Sequence, residues 1–484
     1  MTLRIYNTLS KQIEELKPID GNEVTMYSCG PTVYDYVHIG NLRTFMMADF
    51  LRRTLLFSGY NVKHIKNITD VGHLTQDDID AGEDKMLKAA KRENKNPYDI
   101  ARFYEEAFHE DEAKLHILPA NKFTRATEYI SQMIELIQRL FEKGYAYESN
   151  GSVYYDIDKF EGYGKLSGNA LENLKIGARL EANPDKKNPY DLALWLKAGE
   201  EHLMKWESPW GVGYPGWHIE CSAMSISNLG ETLDIHTGGE DNIFPHHENE
   251  IAQSEGATGK KFVNYWVHAR FLLVNGEKMS KSKGNFYTLK DIENKGFNPL
   301  AYRYLCLTAH FQTQMNFTEQ SLQDSENALE KLFNFISSID DQEEGKVLDE
   351  YAKKFQAALE DNLDTPRAIA LVWELLKNKE ISDIDKKVTL LKFDEVLGLG
   401  LANVSTIETE TLTINIASPE NRTITIRNST GSIISAYILN LIQEREIARI
   451  AKDFLTSDRI RDELKEKGYE TKDTPEGIEI TKIK

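Results

Sequence analysis

Cysteine is scarce in this chain: Cys29, Cys221 and Cys306 are the only three among 484 residues, and they lie far apart. That excludes a disulfide framework and fits a reducing compartment, so any role for these thiols lies in ligation or packing. Long apolar runs are missing as well. No stretch approaches the roughly 18 residues a membrane-spanning helix needs, and Met1 to Pro18 has polar breaks where a secretory signal carries an apolar centre. The expectation is a soluble, cytoplasmic protein with no membrane partner. Positive charge is in deficit, 58 Lys and Arg against 77 Asp and Glu, for a net −19. This argues against indiscriminate binding to nucleic acid, because polyanion affinity rests largely on phosphate neutralisation. A specific RNA partner remains compatible, since from Gln443 onward ten basic side chains face eleven acidic ones.

The length predicts two to four domains, and a hydrophobic content of 40% is ample for their cores. Val24 to Tyr27 reads as a buried strand, Gly30-Pro31 as a turn, Leu42 to Phe57 as a helix and Val62 to Ile68 as the next strand. Together they form a βαβ unit of the kind that builds a parallel sheet. Thr69 to Pro97 is charged and reads as a surface excursion. Thr127 to Lys143 predicts a helix and Ser152 to Tyr163 a strand-like run, with Asn183 to Asn188 a polar loop. This middle section reads as an insertion between two halves of a nucleotide fold. The second half resumes near Gly216, with a strand at Leu233 to His236 and a helix at Phe244 to Gln253. Beyond Thr318 the pattern predicts a helical bundle, then a β-hairpin over Thr411 to Arg427 and two final helices, at about Ile433 to Phe454 and Ser457 to Glu466.

His38-Ile39-Gly40-Asn41 falls between a strand and a helix N-terminus, where free N–H groups and the helix dipole favour phosphate. Lys278-Met279-Ser280-Lys281-Ser282 offers two ammonium groups suited to the charge that builds on a departing pyrophosphate. Either motif alone also fits a bland turn or a solvated loop; both in this order, some 240 residues apart, point to ATP chemistry. Cys221 is followed by Asp-Ile-His-Thr-Gly-Gly-Glu-Asp, then by His246 and Glu250, which sets soft metal ligands beside a glycine turn.

With Tyr27-Ser28-Cys29-Gly30-Pro31-Thr32-Val33-Tyr34-Asp35, Pro215-Gly216-Trp217-His218-Ile219-Glu220-Cys221-Ser222-Ala223-Met224 and Arg459-Ile460-Arg461-Asp462-Glu463-Leu464, the chain resembles the cysteinyl-tRNA synthetases of class I over nearly its whole length. The resemblance implies an α/β Rossmann-type catalytic domain with an inserted connective domain, followed by a mainly helical C-terminal region that binds tRNA. The boundaries expected are 1–115 and 213–265 for the two catalytic halves, 116–212 for the insertion, 266–318 for the Lys278 loop and stem-contact region, 319–402 for a bundle and 403–484 for anticodon binding. It implies a monomer that activates L-cysteine with ATP and Mg²⁺ and passes it to the terminal ribose of cysteine tRNA. One Zn²⁺ per chain is expected.

For the metal, His246 and Glu250 stand four apart and share a helix face, whereas His247 pairs with Ile251; the register selects His246 and Glu250, with thiolates from Cys29 and Cys221. Cys306 reads as core. A substrate thiolate coordinates zinc far better than a serine hydroxyl, a sharper distinction than the roughly 1–3 kcal/mol a methylene supplies. The resemblance further implies that His38, Gly40, Asn41, Lys278 and Lys281 carry catalysis, that His38, Gly40, Asn41, Gly239, Asp241 and Lys281 bind ATP, and that Thr69 and Trp217 shape the amino-acid pocket. For Trp217, plain core packing is the alternative. Arg449, Asp458 and Asp473 fall where the family places anticodon contacts, although any one of them also reads as an ordinary exposed charge.

Departures from the family pattern are Asn41 in place of a second histidine, Tyr214 in place of an arginine, the longer join at Val71 to Glu83, and the 411–427 hairpin. Two other readings compete: a cysteine:amino-sugar ligase, which needs no anticodon module, and a non-catalytic RNA-binding descendant.

Overall fold

The computed structural model describes residues 2–72, 74–76, 81–169, 183–200, 202–279, 284–339, 344–404, 411–415, 423–428, 436–466, 468–474 and 477–482. The chain divides into two compact units. The first comprises Met1–Phe286, Ala309–Asn316 and Gln356–Thr365, and the second Tyr287–Thr308, Phe317–Phe355 and Pro366–Lys484. No described helix is long and apolar enough to cross a membrane.

The first unit is built on a five-stranded sheet in the order Val263–Ala269, Leu233–Gly239, Glu23–Ser28, Asn61–Ile68, Lys122–Arg125. Every neighbouring pair is parallel. Parallel strands are covered on both faces, which is why Val24, Met26, Ile65, Leu233, Ile235, Val263 and Val267 are all buried. Glu23–Ser28 connects outward through the Ile39–Phe57 helix to Asn61–Ile68, and Leu233–Gly239 connects the other way through the Glu248–Thr258 helix to Val263–Ala269. The chain therefore reverses direction between Glu23–Ser28 and Leu233–Gly239. A crevice at the carboxyl ends of such a strand pair is where open α/β sheets bind ligands.

Several expectations from the sequence need adjustment here. The edge strand Lys122–Arg125 lies inside the stretch expected to be the insertion, and Val263–Ala269 runs past residue 265. The insertion's own antiparallel sheet, in the order Gly213–Pro215, Leu192–Lys197, Ser152–Tyr155, Ala146–Ser149, packs into one core with the parallel sheet, in which Val153, Leu194 and Trp195 join Tyr27, Ile65 and Trp266. Residues 69–97 are more than a surface excursion, because the Lys85–Glu93 helix buries Met86, Ala89 and Ala90. Residues 356–365, expected within the bundle, belong to the first unit, where Asn362 N donates to Arg4 O at 2.9 Å and Tyr6 N to Asn362 Oδ1 at 2.8 Å.

In the second unit, helices at Glu319–Ser337, Thr365–Lys377 and Asp383–Leu397 form the expected helical part, and a helix at Pro299–Leu307 lies ahead of the expected bundle. Phe355 and Phe393 stack with centroids 4.0 Å apart, and the buried Arg303 donates from Nε to Leu397 O at 2.6 Å. Farther along, Thr411–Asn415 and Thr423–Asn428 pair antiparallel as a hairpin. Tyr469–Thr474 and Gly477–Lys482, two strands that the sequence pattern does not announce, extend it to a four-stranded sheet. Helices Ala436–Ile450 and Phe454–Glu466 cover that sheet through Ile438, Leu441, Ile442, Ile460 and Leu464, packed against Tyr469, Ile478 and Ile480.

Candidate active site

The crevice between Glu23–Ser28 and Leu233–Gly239 opens into a cavity of about 340 Å³. On one side is the N-terminus of the Ile39–Phe57 helix. His38 caps it: Asn41 N donates to His38 Nδ1 at 3.0 Å, and His38 N donates to Asn41 Oδ1 at 3.3 Å. A Cβ at Gly40 would stand 3.0 Å from the His38 imidazole, so glycine leaves the ring room. The helix itself is anchored by the buried Arg43, whose guanidinium donates to the carbonyls of Arg270 at 2.6 Å, Phe271 at 2.9 Å and Thr313 at 2.6 Å. His38, Asn41, Thr69, Trp217, Cys221 and Asp241 all line the cavity. Gly239 ends its strand there and donates N–H to Asn242 Oδ1 at 2.9 Å, which turns the chain so that Asp241 is exposed.

The opposite side holds the sulfur and imidazole groups. Cys29 Sγ, His246, Glu250 and also His247 offer donor atoms that all lie within 4.8 Å of one another, and all four residues are buried. His246 Nε2 lies 3.1 Å from Glu250 Oε1, and Cys29 Sγ lies 4.0 Å from the same oxygen. Cys221 lines the same cavity but stands outside that group of four; its thiol interacts with Cys29 and His246. The bond with Cys29 is the main reason the Cys221 thiol is lowered to about 7, while burial holds the Cys29 thiol well above its usual range. Burial opposes charge on His246, yet Glu250 and Cys221 outweigh it and raise the imidazole to about 9. Two thiols beside imidazole and carboxylate are the donor set of a soft divalent cation.

The exclusion of His247 from this cluster is corrected by the structure. Residues three apart on a helix meet as well as those four apart, and His247 stands three before Glu250, with Nε2 3.2 Å from Cys29 Sγ and 3.8 Å from Glu250 Oε1. Its Nδ1 lies 2.8 Å from His268 Nε2, and His268 Nδ1 lies 2.8 Å from Thr8 Oγ1. Burial, with His236 and His268 nearby, holds His247 well below the usual imidazole range.

Other partners were also missed. His236 Nε2 lies 3.0 Å from Glu250 Oε2, and His218 Nδ1 lies 2.7 Å from His246 Nδ1. His218 sits at φ +55, a strained value for a non-glycine residue. Nothing in the sequence marks these contacts, since they join strand and helix ends distant along the chain. Trp217 stacks on His218 at 5.0 Å, and the Lys85 ammonium stands 5.3 Å from its ring. Trp217 thus faces the cavity instead of simply filling core.

Lys278 is not among the cavity's lining residues; its ammonium lies 4.6 Å from the Phe271 ring. Lys281 lies outside the described residues. Cys306 is buried on the Pro299–Leu307 helix of the second unit. In the same unit Arg449 and Asp473 meet, Nη1 to Oδ1 at 2.9 Å, and Asp473 also takes Arg445 Nη1 and Nη2 at 3.0 and 3.2 Å. Asp458 stands apart, exposed, with Arg461 at 3.2 Å.

Comparison with known proteins fits this geometry. The sequence profile of the family described as the tRNA synthetases class I (C) catalytic domain matches residues 15–327. A cysteine–tRNA ligase from Treponema denticola is 44% identical over 495 residues, covering 97% of both chains. One from Chlorobaculum tepidum is 43% identical over 503 residues, covering 100% of this chain and 99% of its own. Among solved structures, Mycobacterium tuberculosis methionyl-tRNA synthetase in complex with methionyl-adenylate superposes with a TM-score of 0.53 at 16% identity, over 80% of this chain and 92% of that one. That likeness is one of fold.

Proposed function

We infer, for a chain that belongs to the cysteine–tRNA ligases of class I, how this cavity takes its substrates. The observation that carries the reading is the meeting, in one cavity, of a capped helix N-terminus and a cluster of thiols, imidazoles and a carboxylate. Cys29, Cys221, His246 and Glu250 are proposed to hold Zn²⁺, a donor set of two sulfurs, one nitrogen and one oxygen. His247, within hydrogen-bond reach of the Cys29 sulfur and tied to His268, fits an outer partner that orients a ligand. Zn²⁺ held by these residues would supply a soft site for the substrate's thiolate, which a serine hydroxyl matches poorly.

The nucleotide side follows from hydrogen-bond direction. Since His38 Nδ1 accepts from Asn41 N–H, a neutral His38 carries its proton on Nε2 and serves phosphate as a donor, not as a base. Gly40 keeps the turn open, and the first N–H groups of the Ile39–Phe57 helix add their dipole. Asp241 accepts from ribose hydroxyls next to Gly239. The amino acid's carboxylate needs no base to attack the α-phosphorus, so positioning and charge stabilisation supply the acceleration. Lys278 and Lys281 are proposed to neutralise the departing pyrophosphate, with Mg²⁺ on ATP. Cysteinyl-adenylate then yields its acyl group to the terminal ribose of tRNA, while Arg449, Asp458 and Asp473 read the anticodon from the second unit. The protein works as a monomer in this scheme.

Purified protein is expected to contain one zinc per chain, to show cysteine-dependent ATP/pyrophosphate exchange and to charge tRNA with cysteine but not serine. Charging without bound zinc, or equal use of serine, would refute the sulfur-recognition scheme.

A further inference from the structure

We propose that Glu220, a carboxylate 1% exposed, makes Thr69 the acceptor for the α-ammonium of the amino-acid substrate and thereby sets which way round the amino acid lies. The inference rests on the cavity being the amino-acid pocket and follows from the directions of three hydrogen bonds. Gly30 N, which can only donate, lies 2.7 Å from Asn67 Oδ1. The Asn67 amide is thereby oriented with Nδ2 toward Thr69, 3.1 Å from Oγ1. An amide nitrogen also only donates, so Thr69 accepts at this bond. The one hydroxyl hydrogen of Thr69 is directed to Glu220 Oε2 at 3.1 Å, because a carboxylate accepts and offers no hydrogen of its own.

Every direction in this chain of three bonds is fixed from the backbone outward. Even the backbone approach is constrained, since a Cβ at position 30 would stand 1.7 Å from Asn67 O.

With one lone pair and its hydrogen used, Thr69 Oγ1 keeps one lone pair, and Thr69 lines the cavity with Trp217 and Cys221. An acceptor backed by a buried carboxylate attracts a cation and repels an anion. Of the three polar arms of cysteine, only the ammonium is cationic. With the ammonium at Thr69 and the sulfur toward Cys29 and Cys221, the remaining arm is the carboxylate, which is left for the His38–Asn41 side where the α-phosphate has to be attacked. Glu220 acts through Thr69 and is therefore a positioning residue.

Two thiols separate this role from a structural one. Cysteamine has the ammonium and lacks the carboxylate; 3-mercaptopropionate has the carboxylate and lacks the ammonium. Each is tested as a competitor of cysteine in ATP/pyrophosphate exchange by the zinc-loaded protein. Glu220→Gln is expected to raise KM for cysteine and the inhibition constant of cysteamine about tenfold, the worth of a bond to a charged group. KM for ATP, zinc content and inhibition by 3-mercaptopropionate stay unchanged. Thr69→Val, close in shape, gives the same pattern should Glu220→Gln fold poorly, and Thr69→Ser retains the wild-type pattern. Equal weakening of both thiols, or unchanged constants in both variants, would overturn the assignment. If neither thiol competes in the wild-type protein, the pocket reading itself falls and takes this inference with it.

Discussion

Lys66 and Glu112 form an ion pair whose side chains are 1% and 5% exposed, directly behind the cavity wall. The Lys66 ammonium also stands 5.1 Å from the ring of Phe45 and 5.7 Å from that of Phe108, and Phe45 lines the cavity. Glu112→Gln keeps the shape and removes the charge, leaving a buried ammonium uncompensated. Such a change costs about 3–5 kcal/mol, whereas replacing both partners with apolar residues of like volume is often neutral or better. Glu112→Gln is therefore expected to lower the urea midpoint sharply, and Lys66→Met with Glu112→Leu to restore it. Tryptophan fluorescence is a suitable readout, because Trp195, Trp206, Trp210, Trp217 and Trp266 lie in the first unit and only Trp373 in the second.

His109 gives a second readout. Glu105 and Glu112, each 3.6 Å from its ring nitrogens, raise it to about 9. A raised folded-state value means stability is fully present below the unfolded value of about 6.5 and is lost as pH rises through about 9. Glu112→Gln should bring the His109 titration down toward neutral pH, as followed by NMR, and flatten the stability difference across that window. Equal destabilisation by the single and double substitutions, with His109 titrating as before, would refute the ion-pair reasoning.

Cys221→Ser and His247→Gln together identify the metal's ligands. The first is expected to abolish stoichiometric zinc and cysteine selectivity, the second to weaken zinc about 10- to 100-fold as an outer partner does, and the reverse ranking in a zinc titration would exchange their roles. Asp458→Ala, at an exposed site, should leave thermal stability within about 0.5 kcal/mol and raise KM for tRNA about fivefold, the worth of one hydrogen bond. An unchanged KM in tRNA charging would remove Asp458 from the RNA contact.

What the sequence made legible was periodic or local. The strand at Val24 to Tyr27, the helix after His38 and the hairpin at 411–427 each announce themselves by spacing. The second pair of C-terminal strands did not: Tyr469–Thr474 is almost entirely polar, and Gly477–Lys482 shows only Ile478 and Ile480 in alternation. Their pairing is decided by a hydrophobic core, Ile442 and Leu464 included, that only the folded chain assembles. His247 is hidden for a different reason: it meets Glu250 through three-residue spacing, beside the four-residue spacing of His246.

The polar network resisted reading for a deeper reason. Ser28, Asn67, Thr69, Thr237 and His268 lie at or just past the carboxyl ends of buried parallel strands, where an unsatisfied polar group costs about 1–3 kcal/mol. Apolar residues would hold those positions more stably, so satisfied polar ones there signal recognition of a ligand. The signal is invisible without the strand order. Only when Glu23–Ser28 is known to lie beside both Leu233–Gly239 and Asn61–Ile68 do residues some 200 positions apart become one surface, with Thr69 and Glu220 on the same side of it as the cysteines.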